Sequence, residues 1–98
     1  MANSMRVGTL QVELVLRESY SLKEKRHVLR SLKDRLQNLY NISVAEVDEQ
    51  DTWQKAVLGI SVVGSEGRHV QEVLSKVVDT VRRHPGSELL DYQIEIFG

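Results

Sequence analysis

Lys23, Arg26, Arg30 and Lys33 follow one another at steps of three and four residues, with Lys25 and Arg35 among them. On a helix such steps line side chains up along one face. The segment therefore offers a row of cations, whose natural partner is phosphate or another polyanion. Between residues 22 and 40 six bases (Lys23, Lys25, Arg26, Arg30, Lys33, Arg35) meet two acids, Glu24 and Asp34, for a local charge of +4. The whole chain carries −1, so everything outside the segment carries −1 − 4 = −5. A solvated helix surface is the competing reading, because Lys and Arg are also good helix formers. Lys25 falls on the leucine side of the same helix and has two readings of its own. Either its stem lies along apolar surface while the ammonium reaches out, or it joins Arg26 as a paired contact for phosphate or an acidic partner.

Other residue groups could in principle do chemistry. Glu46, Asp48, Glu49 and Asp51 form the one acidic cluster, but the run lacks the alternating ligands and turn glycine of a calcium loop and reads as a solvated hairpin turn. His27, His69 and His84 have no metal-ligand spacing and read as helix-surface histidines. Val63-Gly64-Ser65-Glu66-Gly67 passes from strand to helix as an anion-binding turn would, yet Glu66 in its midst would repel an anion. No grouping supplies acid, base and nucleophile together, so the expectation is a non-enzymatic protein with no cofactor and no metal. Trp53, the single tryptophan, either joins Val57 and Phe97 in an apolar patch on an open sheet face, suited to self-association or a protein partner, or folds over the hairpin as a small cluster of its own. A stacking platform for bases is disfavoured there, because Glu13, Glu46 and Glu95 would share that face.

These residues need elements to hold them. Ser21 and Glu24 make a capping box, and Leu22, Val28, Leu29, Leu32, Leu36 and Leu39 give the apolar stripe of a helix, with Asn41 as its left-handed stop. Ahead of it, Arg6 to Leu16 alternates with period two, with Leu10, Val12, Leu14 and Leu16 on one side: a strand with one face covered and one wet. A second strand runs from Ile42 to Val47. Its facing is open between Ser43, Ala45 and Val47 inward and Ile42 and Val44 inward, and the first is favoured because an unpaired buried Glu46 would be costly. A third strand over Trp53 to Val63 then pairs with it as a hairpin, Ala56, Leu58, Ile60 and Val62 sharing one side. Val70, Val73, Leu74, Val77, Val78 and Val81 mark a second helix, started by an acceptor from Ser65 or Glu66 and ended at Pro85-Gly86. Glu88 to Phe97 is the last strand, with Tyr92, Ile94 and Ile96 on one side.

The order β-α-β-β-α-β specifies an α+β, ferredoxin-like split βαβ sandwich: four antiparallel strands, the first and third central, with two helices on one face. At 98 residues the chain is a single domain large enough to bury a core. The absence of cysteine excludes disulfides, thiolate metal sites and thiol nucleophiles, in keeping with a reducing cytoplasm. No segment has the composition of a membrane span or signal peptide, and no membrane partner is expected.

Ser21-Leu-Lys-Glu-Lys-Arg, Asn41-Ile-Ser-Val-Ala-Glu-Val and Asp51-Thr-Trp-Gln-Lys-Ala-Val-Leu-Gly, in that order, resemble the YlxP-like family, small bacterial proteins that constitute a domain of unknown function. The resemblance runs from about Met5 onward and leaves the first four residues as an N-terminal extension, expected to be disordered or to reflect an upstream start. It implies a ferredoxin-like fold, a bacterial cytoplasmic protein and, from the family's gene neighbourhoods, a connection to RNA or the ribosome. It supplies no catalytic residue. The resulting expectation is contact with RNA or a ribosomal particle through Lys23, Lys25, Arg26, Arg30 and Lys33. The alternative is self-association, including a homodimer, or partner docking through the exposed sheet face.

Overall fold

The computed structural model describes residues 4–98, so most of the extension before Met5 lies outside the described residues. Its elements are β1 (Arg6–Val15), α1 (Leu22–Leu39), β2 (Ser43–Asp48), β3 (Lys55–Gly64), α2 (Gly67–Arg83) and β4 (Glu88–Phe97). All strand pairings are antiparallel and the sheet order is β2-β3-β1-β4. This is the ferredoxin-like split βαβ arrangement, with β1 and β3 at the centre.

Period-two patterning places Leu10, Val12 and Leu14 of β1 and Ala56, Leu58, Ile60 and Val62 of β3 beneath the helices, all of them buried. Leu29, Leu32 and Leu36 of α1 and Val70, Leu74, Val77, Val78 and Val81 of α2 close the core from above. Packing is divided between the helices: α1 lies over β2, while α2 lies over β1, β3 and β4. Tyr40, just past α1, ties the helices together by sharing a 2.9 Å hydrogen bond with the Thr80 hydroxyl. Gly8 has no side chain because a Cβ there would overlap Val70 and Leu74, so α2 can sit directly on β1.

Several boundaries differ from those the sequence pattern predicts. Trp53 belongs to the loop before β3, which starts two residues later at Lys55. α1 ends through Tyr40 in an extended conformation rather than through a left-handed Asn41. Glu66 caps α2 by position, but no side chain there accepts a hydrogen bond.

The main correction concerns β2. Val44 and Glu46 are its half-buried, helix-facing positions, whereas Ser43, Ala45 and Val47 are exposed on the open face. A register shift between Glu46 and Asp48 leaves Val47 as an extra residue opposite β3. Val47 lies over Gly59, within 2.9 Å of where a Cβ would stand. The inward Glu46 has a buried partner, so the cost that would have kept it outside does not arise.

Candidate nucleic-acid interface

α1 is fixed at its start by the expected capping box. Glu24 N donates to Ser21 Oγ (3.1 Å), and Glu24 Oε2 accepts from the Tyr20 amide (2.6 Å). With 100° per residue and the leucines pointing down, Lys23, Arg26, Arg30 and Lys33 fall together on the side turned away from the core, with Arg30 at its border towards α2. Lys23, Arg26 and Arg30 are exposed and Lys33 is half-buried. Among the described residues the ion pairs are Arg17–Glu88 (2.9 Å) and Lys25–Glu46 (2.8 Å), and neither involves these four cations. The row spans ten residues of helix, about 15 Å at 1.5 Å per residue.

Lys25 is not part of that row. Its side chain is 1% exposed and points under the helix, where Nζ lies 2.8 Å from Glu46 Oε2. The ammonium's directed hydrogen bonds go to two carbonyls of the β2–β3 connection, Glu49 O (2.6 Å) and Thr52 O (2.7 Å). Glu46 Oε2 has no hydrogen bond of good geometry, so the adjacent positive charge is its compensation. Lys25 does not reach solvent; it clasps α1 to β2 and to the 49–52 turn. That turn needs the hold, because Glu49 sits at φ 60°, a left-handed conformation unusual for a residue with a side chain. The acidic cluster is correspondingly dispersed. Glu46 turns inward, Asp48 Oδ1 accepts from the Glu49 amide, and Glu49 Oε2 accepts from the Thr52 hydroxyl.

The open sheet face does not join Trp53, Val57 and Phe97. Val57 stands opposite Glu13 on β1 and Phe97 opposite Val7, six residues further along that strand, or about 20 Å away. Trp53 lies off the sheet, half-exposed at 53%. Phe97 instead completes a row with Val7 and Val63 across three strands, with Val63 and Phe97 64% and 50% exposed. Between the two ends lies a shallow depression of about 480 Å³ whose lining mixes Thr9, Gln11, Ser43 and Ser61 with the apolar Val44 and Val47. Glu13 faces Asp91 and Thr9 faces Glu95 across β1 and β4, giving this side an acidic character.

The α2-facing flank of α1 forms a groove with the end of α2, lined by His27, Ser31, Asp34, Arg35, Asn38 and His84, with Arg30 of the cation row at its edge. His84 is buried rather than on the helix surface. Burial lowers its pKa from 6.5, the Arg35 guanidinium lowers it further, and a hydrogen bond to the Val28 backbone works in the other direction. Its Nδ1 is enclosed and unpartnered. Nothing in the sequence separates His84 from His27 and His69, which are exposed on their helices. Its burial comes from the turn at Pro85-Gly86, where Gly86 at φ 90° brings the chain against Val28.

Residues 7–94 match the family model described as Protein of unknown function (DUF503). The chain belongs to this family. It is 35% identical over 82 residues to the Uncharacterized protein YlxP of Bacillus subtilis (strain 168), covering 84% of this chain and 89% of that relative. Among solved structures it resembles the de novo designed protein Foldit4, at a TM-score of 0.57 and 8% identity over 96% of this chain and 97% of the other. It also resembles a C-terminal segment of the alpha subunit of aIF2 from Pyrococcus abyssi, at a TM-score of 0.51 and 13% identity over 94% of this chain and 51% of that one. At such identities the likeness is one of fold.

Two measurements probe the buried groups. Lys25→Met strands Glu46 and two turn carbonyls, and is expected to cost about 3 kcal/mol in urea unfolding. The Lys25→Met/Glu46→Met double variant should be less destabilised than the sum of the two single variants, by at least about 1 kcal/mol; additive effects would show that the pair does not interact. For His84 the folded-state pKa lies below the unfolded 6.5, so the unfolded chain takes up the proton first as pH falls. The contribution of His84 to stability is therefore complete above pH 6.5 and declines below it. His84→Gln should flatten the urea midpoint against pH between about 5 and 6.5 relative to wild type, and parallel curves would exclude this role.

Proposed function

We propose that the chain is a non-enzymatic, cytoplasmic RNA-binding protein that meets RNA phosphates with Lys23, Arg26, Arg30 and Lys33, as part of a ribosomal or ribosome-assembly particle. The observation that carries this reading is that these four cations have no carboxylate within ion-pair distance among the described residues. Their charge is thus uncompensated at the surface of a chain whose net charge is −1. Lys25 takes no part in the contact, and the uneven charge distribution survives without it because Lys25 and Glu46 neutralise each other.

The distribution follows the architecture. The two helices hold ten bases and four acids, and the four strands two bases and six acids. A polyanion approaching such a molecule is drawn to the helix layer and repelled by the open sheet face. Phosphate contacts of this kind fix position without reading sequence, so specificity would reside in RNA shape or in a partner.

A second reading rests on the row Val63–Val7–Phe97, whose two outer members are half-exposed or more. Such a row suits self-association or a protein partner at one end of the sheet.

Replacing Lys23, Arg26, Arg30 and Lys33 by glutamine should weaken binding to structured RNA and flatten log affinity against log salt by about 3.6 units, at roughly 0.9 for each of four phosphates no longer neutralised, with the urea midpoint little changed. An unaltered slope would reject the phosphate contact. Sedimentation of wild type and of Val63→Ser/Phe97→Ser examines the second reading. A dimer that dissociates in the variant favours it, and a wild-type monomer at all concentrations removes the self-association branch.

A further inference from the structure

We infer that the nucleic acid held by α1 is base-paired, and that the chain binds the backbone of double-helical RNA rather than a single strand. The inference rests on the phosphate-binding reading and specifies its ligand. Lys23, Arg26, Arg30 and Lys33 are mounted on one capped, 18-residue helix that is clamped to the sheet through Lys25, so their spacing over about 15 Å is fixed before any ligand arrives. A fixed row of charges is best matched by phosphates whose own spacing is fixed, as along the ridge of a duplex. A flexible strand must first be ordered, and proteins that bind single strands offset that cost by stacking bases on aromatic rings, at about 1–3 kcal/mol per base.

This molecule offers no such platform where the cations are. No Phe, Tyr or Trp lies between Lys23 and Lys33. Tyr20 precedes the helix cap as a single exposed ring, and Tyr40 beyond the far end is engaged with Thr80. The sheet face, where sheet-based readers stack two or three bases, has Gln11, Gly59, Ser61 and Thr9 at its centre and Glu13, Asp91 and Glu95 beside them. Phe97 and Trp53 lie at the end of that face and off it, respectively. Stacking is therefore separated from charge, and what remains on α1 is contact with phosphates and 2′-hydroxyls, the mode by which double-stranded RNA is recognised through shape.

The test is fluorescence anisotropy with a labelled 16-base-pair RNA duplex, a second duplex of scrambled sequence and a 16-nucleotide oligo(U), at several salt concentrations. Both duplexes are expected to bind equally, at least fivefold more tightly than oligo(U) at about 0.1 M salt, and the Lys23→Gln/Arg26→Gln/Arg30→Gln/Lys33→Gln variant to lose the advantage. Oligo(U) binding as tightly as the duplexes, through the same four residues, would overturn the choice of base-paired ligand and leave phosphate binding standing. Failure of all three probes to bind near 20 mM salt, or duplex binding indifferent to the fourfold variant, would remove both.

Discussion

The arrangement depends on one buried ion pair. Lys25 and Glu46 come from elements 21 residues apart, and their contact decides which way β2 faces, where the 49–52 turn lies and how α1 sits over the sheet edge. Lys25 donates two hydrogen bonds to carbonyls and sets its charge 2.8 Å from a carboxylate, so both its donors and its charge are compensated. Removing either member leaves the other enclosed without compensation, so the pair ties helix, strand and turn into one unit. It also serves the sheet edge. β2 is an outer strand, and an inward-pointing charge followed by an extra residue at Val47 discourages another strand from pairing with it.

Because the pair is neutral, it fixes the helix without altering its outer charge. The helix layer remains basic and the strand layer acidic, so one side of the molecule attracts a polyanion and the other repels it. Val63, Val7 and Phe97 form the apolar exception at the end of the acidic face. The two surfaces are chemically separate, so the proposed RNA contact on one side would not compete with a protein contact on the other.

Periodic features were legible in the sequence. The capping box, the leucine stripe of α1, the valine stripe of α2 and the alternation of β1 and β3 repeat within one element, and the structure follows them except at Leu39, which ends the α1 stripe 56% exposed. Features set by contacts between elements were not. The facing of β2 turned on whether Glu46 had a partner, and the partner lay on α1, at Lys25, whose two readings both carried its ammonium outward. The principle that a buried acid must be compensated was sound; the compensating lysine was invisible to a local pattern. His84 became buried through the approach of the Gly86 turn to Val28, another nonlocal event. The grouping of Trp53, Val57 and Phe97 failed for a geometric reason, since residues on one face of a sheet can stand several rows apart.

What separates a functional cationic surface from an ordinary helix exterior is whether its charges are free and held in place. Surface lysines and arginines are commonly paired with acids at neighbouring turns, and Glu24 and Asp34 were available for that. Glu24 is committed instead to the Tyr20 amide at the cap. Asp34 lies on the groove side with His27, Arg35 and His84. The outward flank is thus left to Lys23, Arg26 and Lys33, with Arg30 at the edge of the groove and in no ion pair, on a helix whose neighbouring residue Lys25 is anchored in the interior. An interior lysine beside an exposed arginine means that Arg26 can take only the outward direction while the clasp holds. Burial of one cation is what aims the next.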